Sequence, residues 1–140
     1  MALKVQKVDT WAASLADTPG SLAAKLKALS KAGVNLDFVL ARRAPDKPGS
    51  GVVFVTPIKS AAGRRAAQAA GFRRTARLHT LRLQGPNRRG QGAAFLQALA
   101  AKGLNLRGVS AAGLGPKFIA YIALDTQPAA AKAVRVLRSL

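Results

Sequence analysis

The sequence predicts an α+β fold of two similar ferredoxin-like units, each an antiparallel sheet with helices on one face. The first observation is an internal repeat: residues 33–36 (Gly-Val-Asn-Leu) return as residues 103–106 (Gly-Leu-Asn-Leu), an offset of 70 in a chain of 140. A repeat at a fixed offset indicates one structural unit written twice. The second observation is that each copy reads as strand, helix, strand, strand, helix, which is the order of the split βαβ plan.

The first copy contains the clearest helix. Leu22, Leu26 and Leu29 recur at helical spacing between a start signal at residues 18–21 and a stop at Gly33. The other predicted elements are a strand over 11–15, an antiparallel hairpin formed by 34–43 and 52–56 around a turn at 45–50, and a helix over 61–70 that Ser60 caps and Gly71 ends.

The second copy follows the same order. We predict a strand over 78–83, a helix over 91–102, a strand from Leu104, a strand over 118–124 and a final helix with Pro128 in its first turn. We therefore place one unit at 1–71 and the other at 72–140.

Each repeat also begins with an additional strand, at residues 3–8 and 73–78. The ferredoxin-like plan needs one more strand after its second helix, and the second copy reaches Leu140 without one. We expect residues 72–77 to complete the first sheet and residues 3–8 to complete the second. This reciprocal exchange removes an open sheet edge that would otherwise pair with another chain.

The chain is strongly basic. It has 23 Lys and Arg against 5 Asp and no Glu, a net charge of +18 and an isoelectric point near 11.9. Such an excess favours anionic partners, and two interpretations stay open: a nucleic-acid or other polyanion surface, or a solvated basic surface. The sequence shows neither a long apolar run nor a secretory signal, so we expect a cytoplasmic protein without a membrane segment.

Catalysis is not expected. The chain has one His and no Cys or Glu, so it lacks the residues for a nucleophile and base pair or for a metal site. We interpret His79 as a structural or surface histidine and not as a general base. No Gly-rich phosphate loop or dinucleotide fingerprint is present, so we predict no nucleotide cofactor and no metal.

One stretch of the sequence resembles the ACT domain. It consists of residues 17–22 (Asp-Thr-Pro-Gly-Ser-Leu), the amphipathic helix, residues 32–36 (Ala-Gly-Val-Asn-Leu) and a strand ending at 52–55 (Val-Val-Phe-Val). With its repeat, the resemblance covers nearly the whole chain. It implies a small regulatory βαββαβ module without catalytic activity that binds a free amino acid, typically where two ACT domains pack side by side.

By matching position, the resemblance implies a ligand-binding loop in each unit. The implied residues are Asp17, Thr18, Pro19, Gly20 and Asn35 in the first unit, and Asn87, Arg88, Arg89, Gly90 and Asn105 in the second. A helix N-terminus also offers unpaired N–H groups to a carboxylate, here those of Gly20, Ser21 and Leu22. The alternative is that Asp17 or Thr18 caps the helix and that the Asn residues stabilise turns.

The second loop departs from the first, because Arg89 stands at the position of Pro19 and Asn87 at that of Asp17. Arg88 and Arg89 make a cationic helix entrance that suits a carboxylate side chain, a phosphate or a polyanion better than a plain zwitterion. The two loops therefore need not share a ligand. A solvated pair of loop charges is the alternative interpretation.

Two functions follow from these patterns. The first is an amino-acid sensor that acts on a partner enzyme or regulator, or that works as a homodimer. The alternative is a nucleic-acid or polyanion-binding module that uses paired arginines at 42–43, 64–65, 73–74 and 88–89. Base-specific recognition is not expected, because the aromatic residues lie in apolar runs that predict burial: Phe38, Phe54, Phe118 and Tyr121.

Overall fold

The computed structural model describes residues 3–140, and these form two compact units. The first unit is Asp9–Thr75, and the second combines the described residues up to Val8 with Ala76–Leu140. Each unit is a four-stranded antiparallel sheet covered by two helices. The α+β prediction of two ferredoxin-like units is confirmed.

The elements follow the predicted order in both copies. In chain order they are β1 (Lys4–Val8), β2 (Trp11–Ala16), α1 (Ser21–Lys31), β3 (Phe38–Arg43), β4 (Ser50–Thr56), α2 (Ala61–Ala69), β5 (Arg73–Arg74), β6 (His79–Pro86), α3 (Gln91–Ala101), β7 (Gly108–Leu114), β8 (Lys117–Leu124) and α4 (Gln127–Arg138). The bounds of α1 and α3 differ by the repeat offset at both ends. Helix α2 is capped by Ser60, whose Oγ accepts from the Gly63 N–H at 2.9 Å.

The terminal strands are exchanged between the units. The sheet orders are β3-β4-β2-β5 in the first unit and β1-β6-β8-β7 in the second. Strand β1 pairs antiparallel with β6 from Lys4 opposite Gln84 to Val8 opposite Thr80. Strand β5 pairs antiparallel with β2, with Arg74 opposite Trp11. The predicted reciprocal exchange is confirmed.

Strand β5 is much shorter than the predicted segment 72–77. The Phe72 N–H is donated to the Ala67 carbonyl at 2.8 Å, so Phe72 closes the end of α2 instead of pairing with β2. Its side chain is fully buried in the core of the first unit. The chain therefore has room for a two-residue pairing with β2 before it leaves the sheet.

The predicted strands from 34 and from 104 also begin later, at Phe38 and Gly108. The Val34 N–H donates to the Leu29 carbonyl and the Leu104 N–H to the Leu99 carbonyl, each at 3.1 Å. Each bond spans a left-handed glycine, Gly33 or Gly103. These residues satisfy carbonyls at the helix ends, which is ordinary C-terminal capping. The apolar alternation that predicted a strand is thus partly the packing of a helix cap against the core.

The core of each unit lies between its helices and one sheet face. The first core is built around Trp11, Leu29, Val53, Val55 and Phe72. The largest residues of the second are Leu81, Leu83, Phe95, Phe118, Leu99, Ile122, Leu124 and Leu137. Rings of Phe95 and Phe118 meet edge to face with centroids 5.8 Å apart.

The burial predicted for the aromatic side chains is correct at two positions and wrong at two. Phe118 and Tyr121 are buried, whereas Phe38 and Phe54 are only half-buried. Phe54 alternates with the core residues Val53 and Val55 and so lies on the opposite face of β4. No helix among the described residues has the length and apolar character needed to cross a membrane.

Candidate functional site

The two predicted ligand loops lead into α1 and α3, and we call them the first entrance (residues 17–22) and the second entrance (residues 87–93). Each helix starts after a left-handed glycine, Gly20 with φ 85° and Gly90 with φ 76°. Neither start has a side-chain cap. The capping role considered for Asp17 and Thr18 is therefore wrong, and N–H groups of the first turn are left without an intrahelical partner.

In the first entrance, the polar side chains contact Arg43 and the nearby backbone. The Asp17 carboxylate accepts from Arg43 Nε at 2.9 Å, and the Asp17 N–H is donated to the Gly49 carbonyl at 3.0 Å. Ser21 Oγ is placed to donate to the Ala16 and Thr18 carbonyls. The Asp17–Arg43 pair is largely exposed, so it contributes little to stability.

Only some of the backbone N–H groups of the first entrance have an acceptor within the described residues. The Ser21 N–H is directed to the Thr18 carbonyl at 3.4 Å. The N–H groups of Leu22 and Ala23 have no acceptor among the described residues. Thr18, Pro19 and Gly20 are exposed, while the Leu22 side chain packs against the core. The donors open to a ligand thus lie in the first helical turn.

The second entrance is attached to the turn between β7 and β8. The Asn87 N–H is donated to the Pro116 carbonyl at 2.9 Å, and Asn87 Nδ2 to the Gly115 carbonyl at 3.2 Å. Gly113 makes room for this side chain, because a Cβ there would lie 2.6 Å from Asn87 Nδ2. Asn87 therefore holds the loop to the β7–β8 turn through its backbone N–H and its Nδ2.

Arg88 and Arg89 are exposed, and neither guanidinium has an ion pair or hydrogen bond with another residue in the part of the chain that the structure describes. The N–H groups of Gly92 and Ala93 likewise have no acceptor there. Two cationic side chains and two backbone donors are therefore available at this helix start.

Gln91, the first residue of α3, is a candidate that the sequence analysis missed. It is only 3% exposed, and neither its Oε1 nor its Nε2 has a hydrogen-bond partner among the described residues. A Gln at the first position of a helix is unremarkable in a sequence. The only available signal was its alignment with Ser21 at the repeat offset, where the two residues differ in size and in hydrogen-bonding capacity.

Asn35 and Asn105 lie apart from the entrances. Both are exposed, and each follows the C-terminal end of the helix whose N-terminal end carries the entrance. An 11-residue helix is about 16 Å long. A small ligand at either entrance therefore cannot also reach the Asn of the same unit.

The second unit also contains an open cleft of about 480 Å³. It is lined by Leu3, Lys4, Gln84, Gly85, Pro86 and Lys117. None of the predicted ligand residues lines it, although it ends at Pro86, directly before Asn87. Within the described residues, no three side chains of the metal-ligating types lie together.

No protein-family model and no curated protein matches the sequence. Solved structures, in contrast, share the fold. A protein from Bacteroides thetaiotaomicron superposes with a TM-score of 0.79 at 16% identity, over 96% of this chain and 89% of its own. The ligand-free regulatory subunit of aspartate kinase from Thermus thermophilus superposes with a TM-score of 0.66 at 15% identity, over 99% of this chain and 96% of its own.

A complete enzyme shows the same likeness over a part of its length. The aspartate kinase of Clostridium acetobutylicum, described as an allosteric enzyme, gives a TM-score of 0.62 at 14% identity over 96% of this chain and 33% of its own. At these identities the likeness establishes the fold. The chain consists of two ACT-like βαββαβ units, as the resemblance to the ACT domain implied, and shares this architecture with the regulatory subunits of aspartate kinases.

Proposed function

We propose that the protein is a non-catalytic regulatory module that binds a free amino acid or a similar small carboxylate. The observation that carries this proposal is that α1 and α3 both begin at a left-handed glycine without a side-chain cap. Each leaves two first-turn N–H groups without an acceptor among the described residues. Such N–H groups, together with the positive end of the helix dipole, suit a carboxylate.

The residues near each entrance supply the other contacts. Asp17 can accept a hydrogen bond from an α-ammonium group if its contact with Arg43 is shared, and Arg88 and Arg89 can contact a second acidic group. Because Asn35 and Asn105 lie at the far ends of their helices, they would reach the ligand from a second copy of the chain. A ligand held at an interface of this kind favours one packing arrangement by its differential affinity.

The partner in this proposal is an enzyme or regulator, or a second copy of the chain. This choice is supported by the fold that the chain shares with the regulatory subunit of the Thermus thermophilus kinase and with about a third of the length of the Clostridium acetobutylicum kinase. The scarcity of catalytic residue types supports a role without chemistry. Ligand occupancy would then change the partner's activity through a coupling free energy between the two sites.

We expect one or a few of the twenty amino acids to raise the melting temperature of the protein in a thermal-shift panel. At a ligand concentration 100 times the Kd, binding stabilises the native state by about 2.7 kcal/mol. Sodium chloride at the same ionic strength is the control, because a protein of charge +18 is stabilised by many anions. A flat response across all twenty would contradict the proposal.

A second candidate function is the binding of nucleic-acid backbone or another polyanion. It is favoured by one observation: both arginines of all four pairs identified in the sequence are exposed. We expect such binding to weaken steeply as salt rises, because each phosphate contact releases counterions. Filter binding of RNA and DNA at 50 and 200 mM salt tests this, and weak retention at the lower concentration argues against it.

A further inference from the structure

We propose that the two entrances are not equivalent and that the second entrance binds an amino acid with an acidic side chain. This inference rests on the proposed function and adds the class of ligand and the residue that selects it. Three observations carry it: within residues 3–140 the amide of Gln91 has no partner and the guanidinium groups of Arg88 and Arg89 are free, and the contacts of the first entrance differ.

The Gln91 side chain is enclosed without a partner. Only 3% of its surface is exposed, and neither amide atom has a hydrogen bond among the described residues. Buried polar side chains in native proteins are nearly always hydrogen-bonded, because an unpaired buried amide loses its contacts with water and gains none. An amide kept in this state points to a partner that is not part of this chain.

The position of this residue places it at the helix start. Side chains in an α-helix lean toward the N-terminus and cover the turn before their own Cα. Gln91 is the first residue of α3, next to Gly90 and the arginine pair in the sequence. The open N–H groups of Gly92 and Ala93 lie in the same turn. Gln91 and the two backbone donors therefore belong to the same first turn, and we infer that they serve one ligand.

The charges around this volume select an anionic ligand. The second unit contains a single acidic residue, Asp125, and it is paired with Arg107 at 3.0 Å. An α-carboxylate on the first-turn N–H groups and a side-chain carboxylate on Arg88 or Arg89 would each meet a positive partner. Gln91 can both donate and accept, so its Oε1 suits the α-ammonium group and its Nε2 a carboxylate.

The first entrance lacks these features. Ser21, which aligns with Gln91, directs its hydroxyl to two carbonyls of its own unit. Asp17 places a carboxylate at the loop, which repels a second carboxylate, and Pro19 stands at the position of Arg89. A ligand with two carboxylates is therefore expected to prefer the second entrance.

Isothermal titration of the full chain with L-glutamate, L-aspartate and L-alanine tests the inference. We expect one of the acidic amino acids to bind at least about ten-fold more tightly than alanine. Gln91→Met keeps the length of the side chain and removes its hydrogen bonds, and it should weaken acidic-ligand binding about ten-fold. Arg89→Ala should also weaken binding, whereas the matched variants Ser21→Ala and Arg65→Ala should leave it unchanged.

A readout without ligand separates binding from folding. If the Gln91 amide is unpaired in the free protein, Gln91→Met should raise the melting temperature of the free protein; a fall would show that the amide is bonded within the fold and would overturn the inference. Equal binding of alanine and the acidic amino acids, or loss of binding in Ser21→Ala but not in Gln91→Met, would overturn it too. In both of these last two results an amino acid still binds, so the proposed function survives. If no amino acid in the panel binds, the proposed function fails as well.

The backbone donors have their own matched pair of variants. Gly92→Pro removes one N–H group, and Pro128 already occupies the same second position in α4. Gly92→Ala retains the N–H group, and a Cβ at this position meets nothing within 4 Å. We expect the Pro variant to lose affinity for the acidic ligand relative to the Ala variant; equal affinity would show that the carboxylate is not held at this helix start.

Discussion

A chain that begins at Asp9 is expected to lose most of the stability of its second unit. Strand β1 forms one edge of that sheet and pairs with β6 over five residues. Val5 is 4% exposed within its core, and its carbonyl accepts from Arg138 on α4 at 3.1 Å. Burial of a Val contributes about 1.5–3 kcal/mol, and deletion also leaves one edge of β6 without a hydrogen-bonding partner, with only β8 still paired to its other edge. Since domains are stable by about 5–15 kcal/mol, this loss is a large share.

Hydrogen exchange gives the most direct measurement of this loss. Backbone amides of β6 should lose protection in the truncated chain, while those of β2 and β4 in the first unit should keep theirs. Lys7→Ala is the matched control, because Lys7 lies on the same strand but is exposed. Unchanged protection of Leu81 and Leu83 after truncation would show that the exchanged strand is dispensable.

Gly63→Ala is expected to destabilise the first unit by about 1–3 kcal/mol, although Ala is the better helix former. In an exposed helix interior the same change stabilises by about 1 kcal/mol. Here a Cβ would lie 2.8 Å from Val34 Cγ2, 2.9 Å from Ser60 Oγ and 3.3 Å from Ile58 Cγ2. Gly63 is thus the point where α2 approaches the loop that follows α1, and an added methyl group must displace Val34, the capping Ser60 or the buried Ile58.

The chain contains its own control for this prediction. Gly92 lies in the first turn of α3, and a Cβ there meets no atom within 4 Å. We expect Gly92→Ala to leave stability unchanged or raise it by up to about 1 kcal/mol. Urea unfolding of both variants measures the two changes. If both shift the midpoint in the same direction, the close contacts at Gly63 are not what determines its effect.

The helix bounds could be predicted well because their signals are local. Leu22, Leu26 and Leu29 give the period of α1, and the left-handed Gly33 ends it, so the same pattern at the repeat offset predicts α3. Ser60 and Thr126 cap α2 and α4 through contacts three residues away. The exchange of β1 and β5 was also predictable, since each repeat carries a strand before its core pattern and the fold needs a strand after it.

The strand beginnings were harder to predict because local alternation has two causes. Val34 and Leu36 alternate with polar residues as a strand does, yet they pack against the core as the exit from α1. The same holds for Leu104 and Leu106 after α3. Sequence spacing does not distinguish the two, because a helix cap and a strand both turn alternate side chains toward a core.

The candidate site divides in the same way. The sequence by itself determined the two-unit α+β plan, the glycines that start α1 and α3, and the cationic character of the second entrance, because these follow from repeats, spacing and charge. Only the tertiary structure decided that Asp17 contacts Arg43, that Asn87 holds the β7–β8 turn and that the buried Gln91 amide has no partner in the described part of the chain. Hydrogen-bond partners and burial depend on residues distant in the chain, so the position of a polar side chain in the sequence does not say whether it is free to bind.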